Sequence, residues 1–212
     1  LREIRIYVEG GGDRRKDRET CRQGFTELFR PLTDSFRKAG GSVRFVACGP
    51  RNSAFEDFCL AVKQSGSDGQ VNLLLVDQED PLPERQAGER DPCWRHVRER
   101  DKWESPPSIT DDHLFFMTMT VEAWLIADRA ALTDHYGNSF KPQRLPTRPL
   151  EEVSRQDLVK SLEGATSECK NRYDKPHAWV LTGKLDLAKV RSLSNCDRFC
   201  IMLEKLIQTT TG

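Results

Sequence analysis

No stretch of this sequence is long and apolar enough to cross a bilayer. The most apolar strand-like segments, at 71–76 and 114–119, span six residues each with one polar residue apiece, against about 20 for a spanning helix. The first residues lack the basic-then-apolar order of a signal peptide and read directly as a strand, so a cytoplasmic protein is expected. Paired cysteines are missing too. Cys21, Cys48, Cys59, Cys93, Cys169, Cys196 and Cys200 make seven, an odd number with no paired spacing, which suits reduced thiols better than a disulfide framework. His96, His113 and His135 stand at no ligand spacing with cysteine, which points away from zinc. No Gly-x-x-x-x-Gly-Lys-Ser/Thr loop occurs, so any ATPase would have to be a separate chain. Charge surplus is absent as well: 33 basic residues balance 33 acidic ones. Total charge therefore offers no argument for nucleic acid, although a partner reads a local patch and not the sum.

What is present is an alternation of strand and helix patterns. Residues 4–8 read as a strand ending at Glu9, followed by a tight turn at Gly10-Gly11-Gly12-Asp13. Cys21, Phe25, Leu28, Phe29, Leu32 and Phe36 then recur at helical steps. Pro31 is expected to kink or divide that helix, and Gly40-Gly41 to stop it. A second strand over 43–48 runs into Gly49-Pro50-Arg51-Asn52. Ser53 and Glu56 have capping-box spacing for a following helix. After a loop over 65–69, the apolar run 71–76 predicts a central strand covered on both faces, ending in Asp77-Gln78-Glu79-Asp80-Pro81.

This order implies an α/β fold with a small, mostly parallel sheet flanked by helices. Residues 1–132 are read as that domain, with a polar insertion at about 81–112, and 133–212 as a mainly helical C-terminal appendage packed on it. A fourth strand is expected over 114–119 and a helix over 122–128, with further helices over 154–165 and 199–207. The insertion interleaves Arg85, Arg90, Arg95, Arg98 and Arg100 with Trp94 and Trp103. It could track a nucleic-acid backbone with a tryptophan stacked on a base. Its acids nearly cancel that charge, which favours a solvated surface loop with internal ion pairs, or else a flexible partner-binding loop.

In open parallel sheets the functional crevice lies at the carboxyl ends of the strands. Glu9, the turn at 49–52 and the acids Asp77, Glu79 and Asp80 all fall there. Clustered carboxylates repel one another unless a cation intervenes, and hard cations such as Mg²⁺ prefer oxygen ligands. The bland alternative is that such acids are helix caps and turn formers. Arg51 and Asn52 could meet a phosphate at a helix N-terminus, or Asn52 or Ser53 could merely cap. Lys175 could contact phosphate or simply be solvated.

The segments 6–13, 46–52, 74–81 and 121–128, in that order, resemble the DUF4276 family of bacterial Toprim-like proteins, and weaker similarity continues over 173–190. The resemblance implies a Toprim-like fold, in which a glutamate after the first strand and an aspartate pair after the third bind magnesium. Carried over by position, Glu9, Asp77 and Glu79 would be catalytic, and Glu9, Asp77, Glu79, Asp80 and Glu122 would be metal ligands. The third-strand motif reads Asp-x-Glu where Asp-x-Asp is usual, which bears on the second metal position. Gly10, Arg51, Asn52 and Lys175 would face phosphate, and Asp128 matches the family's own segment. The activity implied is a Mg²⁺- or Mn²⁺-dependent nuclease acting on DNA or RNA. It would serve as the effector of a bacterial defence or toxin-type system with a separate ABC- or OLD-like ATPase, and homo-oligomers are compatible with it. Two other readings stay open: a non-catalytic Toprim-fold subunit that binds such a partner, and phosphate-ester chemistry on a nucleotide or small molecule.

Overall fold

The computed structural model describes residues 3–64, 69–84 and 86–211. Most of the loop expected over 65–69, together with Arg85, lies outside them. Among the described residues four strands form one sheet: β1 (Glu3–Glu9), β2 (Ser42–Gly49), β3 (Gln70–Asp77) and β4 (Leu114–Met117). All pair in parallel, in the order β2-β1-β3-β4. Side chains alternate across a strand, so Ile4, Ile6, Val8, Leu73, Leu75, Phe115 and Met117 fill one face. Tyr7, Leu74, Val76, Leu114 and Phe116 fill the other. That two-sided burial is why β3 and β4 read as continuous apolar runs.

The chain leaves β1 through α1 (Arg15–Leu28) and α2 (Arg30–Lys38) to reach the edge strand β2. It returns through α3 (Arg51–Gln64) to β3 on the far side of β1, and continues through α4 (Pro92–Asp101) to β4. Right-handed crossovers running in opposite directions cover opposite faces. Phe25 and Leu28 of α1, Phe29 at the junction and Phe36 of α2 accordingly join the first core, while Phe58, Trp94 and Val97 of α3 and α4 join the second. The reversal of direction makes the carboxyl ends of β1 and β3 the topological switch point, where an open α/β sheet forms its crevice.

Some local expectations hold and others need correction. The helix interrupted by Pro31 is divided into two, with the proline in the first turn of α2, where its missing N–H costs nothing. Helix α3 begins at Arg51, so Ser53 lies inside its first turn and does not cap it. Strand β4 stops at Met117, because Met119 adopts a left-handed φ of 53° that a strand cannot continue. The polar insertion is not a loop throughout. It contains α4, and Trp94 and Trp103 are buried at 1% and 5% exposure, so neither is free to stack on a base. Its ion pairs are real, among them Arg95 with Glu89 and Arg98 with Glu104.

Residues beyond β4 are mainly helical: α5 (Val121–Ala127), α6 (Arg129–Tyr136), α7 (Arg155–Ala165), α8 (Lys175–Thr182), α9 (Leu187–Val190) and α10 (Ser194–Thr211). Ser154 caps α7, its side chain accepting the Asp157 N–H at 3.2 Å. The apolar faces of these helices join the first core. Phe199 of α10 stands edge-on to Phe29 at 5.1 Å and to Phe115 at 5.2 Å. Replacing Phe199 with alanine should therefore lower stability by about 3–5 kcal/mol, seen as a lower urea midpoint with an unchanged slope. A change under about 1 kcal/mol would mean that α10 does not belong to the sheet's core.

Candidate functional site

The switch-point crevice is built by the turn after β1. Gly10 forms a short antiparallel bridge with Gly49, N–H to O at 2.9 and 2.8 Å. Its φ is +149°, and a Cβ there would lie 2.5 Å from Trp179 Cη2. At Gly11 φ is +83°, and a Cβ would lie 2.5 Å from the Arg18 Cα. Only glycine fits both positions. The turn thereby presses against α1 and α8 and leaves Glu9 beside Asp77 in the wall of a cleft of about 560 Å³.

The carboxylates of Glu9, Asp77 and Glu79 each offer an oxygen lying within 4.8 Å of the other two. Glu9 Oε2 accepts the Asp77 N–H at 3.1 Å and Arg51 Nη1 at 3.2 Å. Asp77 Oδ1 accepts the Val121 N–H at 3.0 Å, so the first turn of α5 holds it still. Glu79 takes Arg155 Nη1 at 2.5 Å on one oxygen and Arg100 Nη2 on the other. Its φ of 68° is left-handed, and its N–H donates to the carbonyl of the equally left-handed Met119 at 2.7 Å. Two non-glycine residues in this sparsely populated region, bonded to each other, hold the third acid in place.

Behind Asp77 lies a second acid. Glu122 is fully buried and is bonded by Tyr173 Oη at 2.5 Å and by Lys175 Nζ at 3.0 and 3.1 Å. The Thr120 hydroxyl lies 2.5 Å from Glu122 Oε2 and 3.1 Å from Asp77 Oδ2. One hydroxyl hydrogen cannot serve both oxygens. The chain of bonds is satisfied without a cation when Asp77 carries a proton, donating to Thr120, which donates to Glu122. Lys175 Nζ stands 4.0 Å from Asp77 Oδ2 and lines the cleft.

This packing sets the electrostatics of the site. Burial raises Glu9, and the neighbouring Asp77 raises it further; Arg51 opposes them, and the result is pushed up to about 7. Burial also raises Asp77, against the pull of Lys175. Burial would raise Glu122 as well, but Lys175, Thr120 and Tyr173 outweigh it and hold the group below its ordinary value. Lys175 in turn is destabilised as an ammonium by burial, yet Asp77 and Glu122 keep it raised and charged. The all-oxygen donor set suits a hard divalent cation. Opposite ligands of one Mg²⁺ sit about 4.2 Å apart, twice the ~2.1 Å ligand distance. The three oxygens, all within 4.8 Å of one another, are thus near the span of a single ion.

Against the positions expected from sequence, Glu9, Asp77 and Glu79 come together, whereas Asp80 and Glu122 stand outside the trio. Asp80 is an exposed partner of Arg100, and Glu122 is occupied by its own donors. Arg51 spends its guanidinium inside the protein. It grips Asp101 through two bonds of 3.0 and 2.9 Å, and also Glu9 and the Asp77 carbonyl. The Asn52 side-chain oxygen accepts Trp103 Nε1 at 3.2 Å. The Gly10 N–H is used by Gly49, which leaves Lys175 facing the cleft. Asp128 caps α6 through the Ala131 N–H at 3.1 Å. Sequence reasoning missed Arg100, Asp101, Thr120, Arg155 and Tyr173. Only the Thr-x-Glu spacing of 120–122, with the hydroxyl two residues before the acid, carried a local signal.

A family model described as a domain of unknown function, DUF4276, matches residues 8–207. The chain belongs to the DUF4276 family. No curated protein and no solved structure matched it. The DUF4276 match takes in Glu9, Asp77, Glu79, Glu122, Arg155, Tyr173 and Lys175 alike, so the site and its supports lie within one family unit.

The raised Glu9 gives a pH prediction. Its folded value of about 7 exceeds the ordinary 4.5, so in chelator its contribution to stability is full below pH 4.5 and is lost as pH rises through 7. The melting temperature of the wild type should fall more steeply from pH 5.5 to 8 than that of Glu9→Gln. Mg²⁺ or Mn²⁺ should restore it at pH 8 in the wild type alone. Parallel profiles for the two proteins would contradict the assignment.

Proposed function

We propose that the protein is a divalent-cation-dependent nuclease, with Mg²⁺ or Mn²⁺ as the ion and a DNA or RNA phosphodiester as substrate. The observation that carries this reading is the meeting of Glu9, Asp77 and Glu79 oxygens within 4.8 Å at the switch point of a parallel sheet. A bound divalent cation supplies Lewis-acid chemistry, lowering the pKa of water and neutralising the leaving oxygen. Asp77 fits the role of fixed ligand, because Val121 and Thr120 orient both of its oxygens. Glu9, held near neutrality, fits a ligand or a base that takes a proton from water. Lys175 stays charged between Asp77 and Glu122, so it serves as a fixed positive charge for a phosphate oxygen and not as a base. Arg155, which also lines the cleft, holds Glu79 and offers its remaining donors to the same substrate.

The resemblance to Toprim-like effectors supports a place in a bacterial defence or toxin-type system, under a separate ABC- or OLD-like ATPase. A second reading is favoured by one feature: Arg51, Arg100 and Arg155 already neutralise part of the acid trio. On that reading the guanidinium groups replace the cation, and the fold is a non-catalytic subunit of such an assembly.

Purified protein with Mg²⁺ or Mn²⁺ should cleave at least one of plasmid, single-stranded DNA and tRNA. Glu9→Gln and Asp77→Asn should each lower the rate about 10²–10⁴-fold, and Lys175→Met about 10²–10³-fold. No cleavage of any substrate, with the partner ATPase present, would refute the nuclease and favour the subunit.

A further inference from the structure

A second groove runs along the open edge of the sheet, between α1 and β2. Its volume is about 850 Å³, and Arg15, Arg18, Arg22, Arg37 and Arg44 line it against a single acid, Glu19. The chain as a whole carries no net charge, so this excess is a local sorting of charge. Arg15, Arg18 and Arg22 share one face of α1 at helical steps of three and four, a stripe of about 10 Å. Arg44 of β2 and Arg37 of α2 complete it.

All five cations in the groove are arginine and none is lysine. The planar guanidinium matches phosphate oxygens in a fork, which a lysine cannot do. Among the described residues, only two of the five pair with carboxylates: Arg22 with Glu19 at 3.4 Å and Arg44 with Glu3 at 3.0 Å. Both arginines are exposed, and such surface pairs give way readily to a phosphate.

The groove abuts the acid cleft at Arg18. Arg18 Nε donates to the Gly12 carbonyl at 2.9 Å, and its guanidinium lies 3.1 Å from where a Gly49 Cβ would stand. Gly12 and Gly49 both line the acid cleft. Arg18 is thus the junction between a polycationic track and the carboxylates.

We infer that this groove binds the sugar–phosphate backbone of a nucleic-acid strand, independently of sequence, and delivers it past Arg18 to the acids. Strand binding stands on the arginines alone, whereas cleavage of the delivered strand rests on the nuclease reading.

The test is fluorescence anisotropy of a labelled 20-nucleotide single strand in EDTA, where binding is read without cleavage. Wild type should bind with log–log salt dependence of about −0.7 per phosphate contact. Combining Arg22→Glu, Arg37→Glu and Arg44→Glu should weaken binding about 10–100-fold and flatten that slope. The Arg→Gln version of the same triple gives the same direction without charge reversal, and circular dichroism confirms that each is folded. Wild-type-like binding by both triples, or salt-independent binding, overturns the groove whether or not the protein cleaves. So does preference for a polyglutamate peptide over the strand, which would make the groove a protein-binding surface. Arginine-dependent binding without cleavage in Mg²⁺ or Mn²⁺ leaves the groove standing and removes the nuclease.

Discussion

Three carboxylates forced into one poorly hydrated crevice constitute the interaction on which this structure turns. Each would lose hydration and repel the others, and the molecule meets that cost in three ways. Backbone N–H groups of Asp77 and Val121 bond to Glu9 and Asp77. Guanidinium groups from three different helices, Arg51, Arg100 and Arg155, reach the trio. What remains is carried as protons, with Glu9 raised to about 7 and Asp77 raised as well. Bound protons at neutral pH leave room for a cation, since a divalent ion can displace them and do the same electrostatic work.

The fold supplies this crowding through topology. Opposite crossover directions from β1 bring Glu9 and Asp77 side by side, and the glycine turn after β1 packs too tightly for any side chain at Gly10 or Gly11. The supports come from elsewhere in the chain. Helix α4 of the insertion delivers Arg100 and Asp101, α7 delivers Arg155, and the start of α8 delivers Lys175. None of these segments is peripheral to the site: the insertion and the C-terminal helices complete the shell of charges that lets the acids coexist. Arg51 joins two layers of it by binding Glu9, the Asp77 carbonyl and Asp101 at once.

The sheet and the acids were legible because both leave local marks. Strands β1, β3 and β4 announce themselves as short apolar runs, and their carboxyl ends carry Glu9, Asp77 and Glu79 within a few residues of a turn. The partners were not legible, because they come from distant parts of the chain. Arg100 and Arg155 lie 21 and 76 positions from Glu79, and Tyr173 lies 51 positions from Glu122. Charge balance in the insertion argued for a solvated loop, yet Cys93, Trp94 and Val97 recur at helical spacing and bury α4 on the sheet. The capping-box spacing of Ser53 and Glu56 misled for a different reason. The Gly49-Pro50 turn starts α3 three residues earlier, and Pro50 supplies the first helical carbonyl to Ala54.

The central claim is that Glu9, Asp77 and Glu79 together hold one divalent cation. Isothermal titration of the metal-free protein with Mn²⁺ tests it most directly, with proton release read from buffers of different ionisation enthalpy. The account predicts one Mn²⁺ per chain at pH 7, with release of a fraction of a proton or more, and no comparable binding in Asp77→Asn. Absence of Mn²⁺ binding at millimolar concentration, or equal binding by Asp77→Asn, would contradict it.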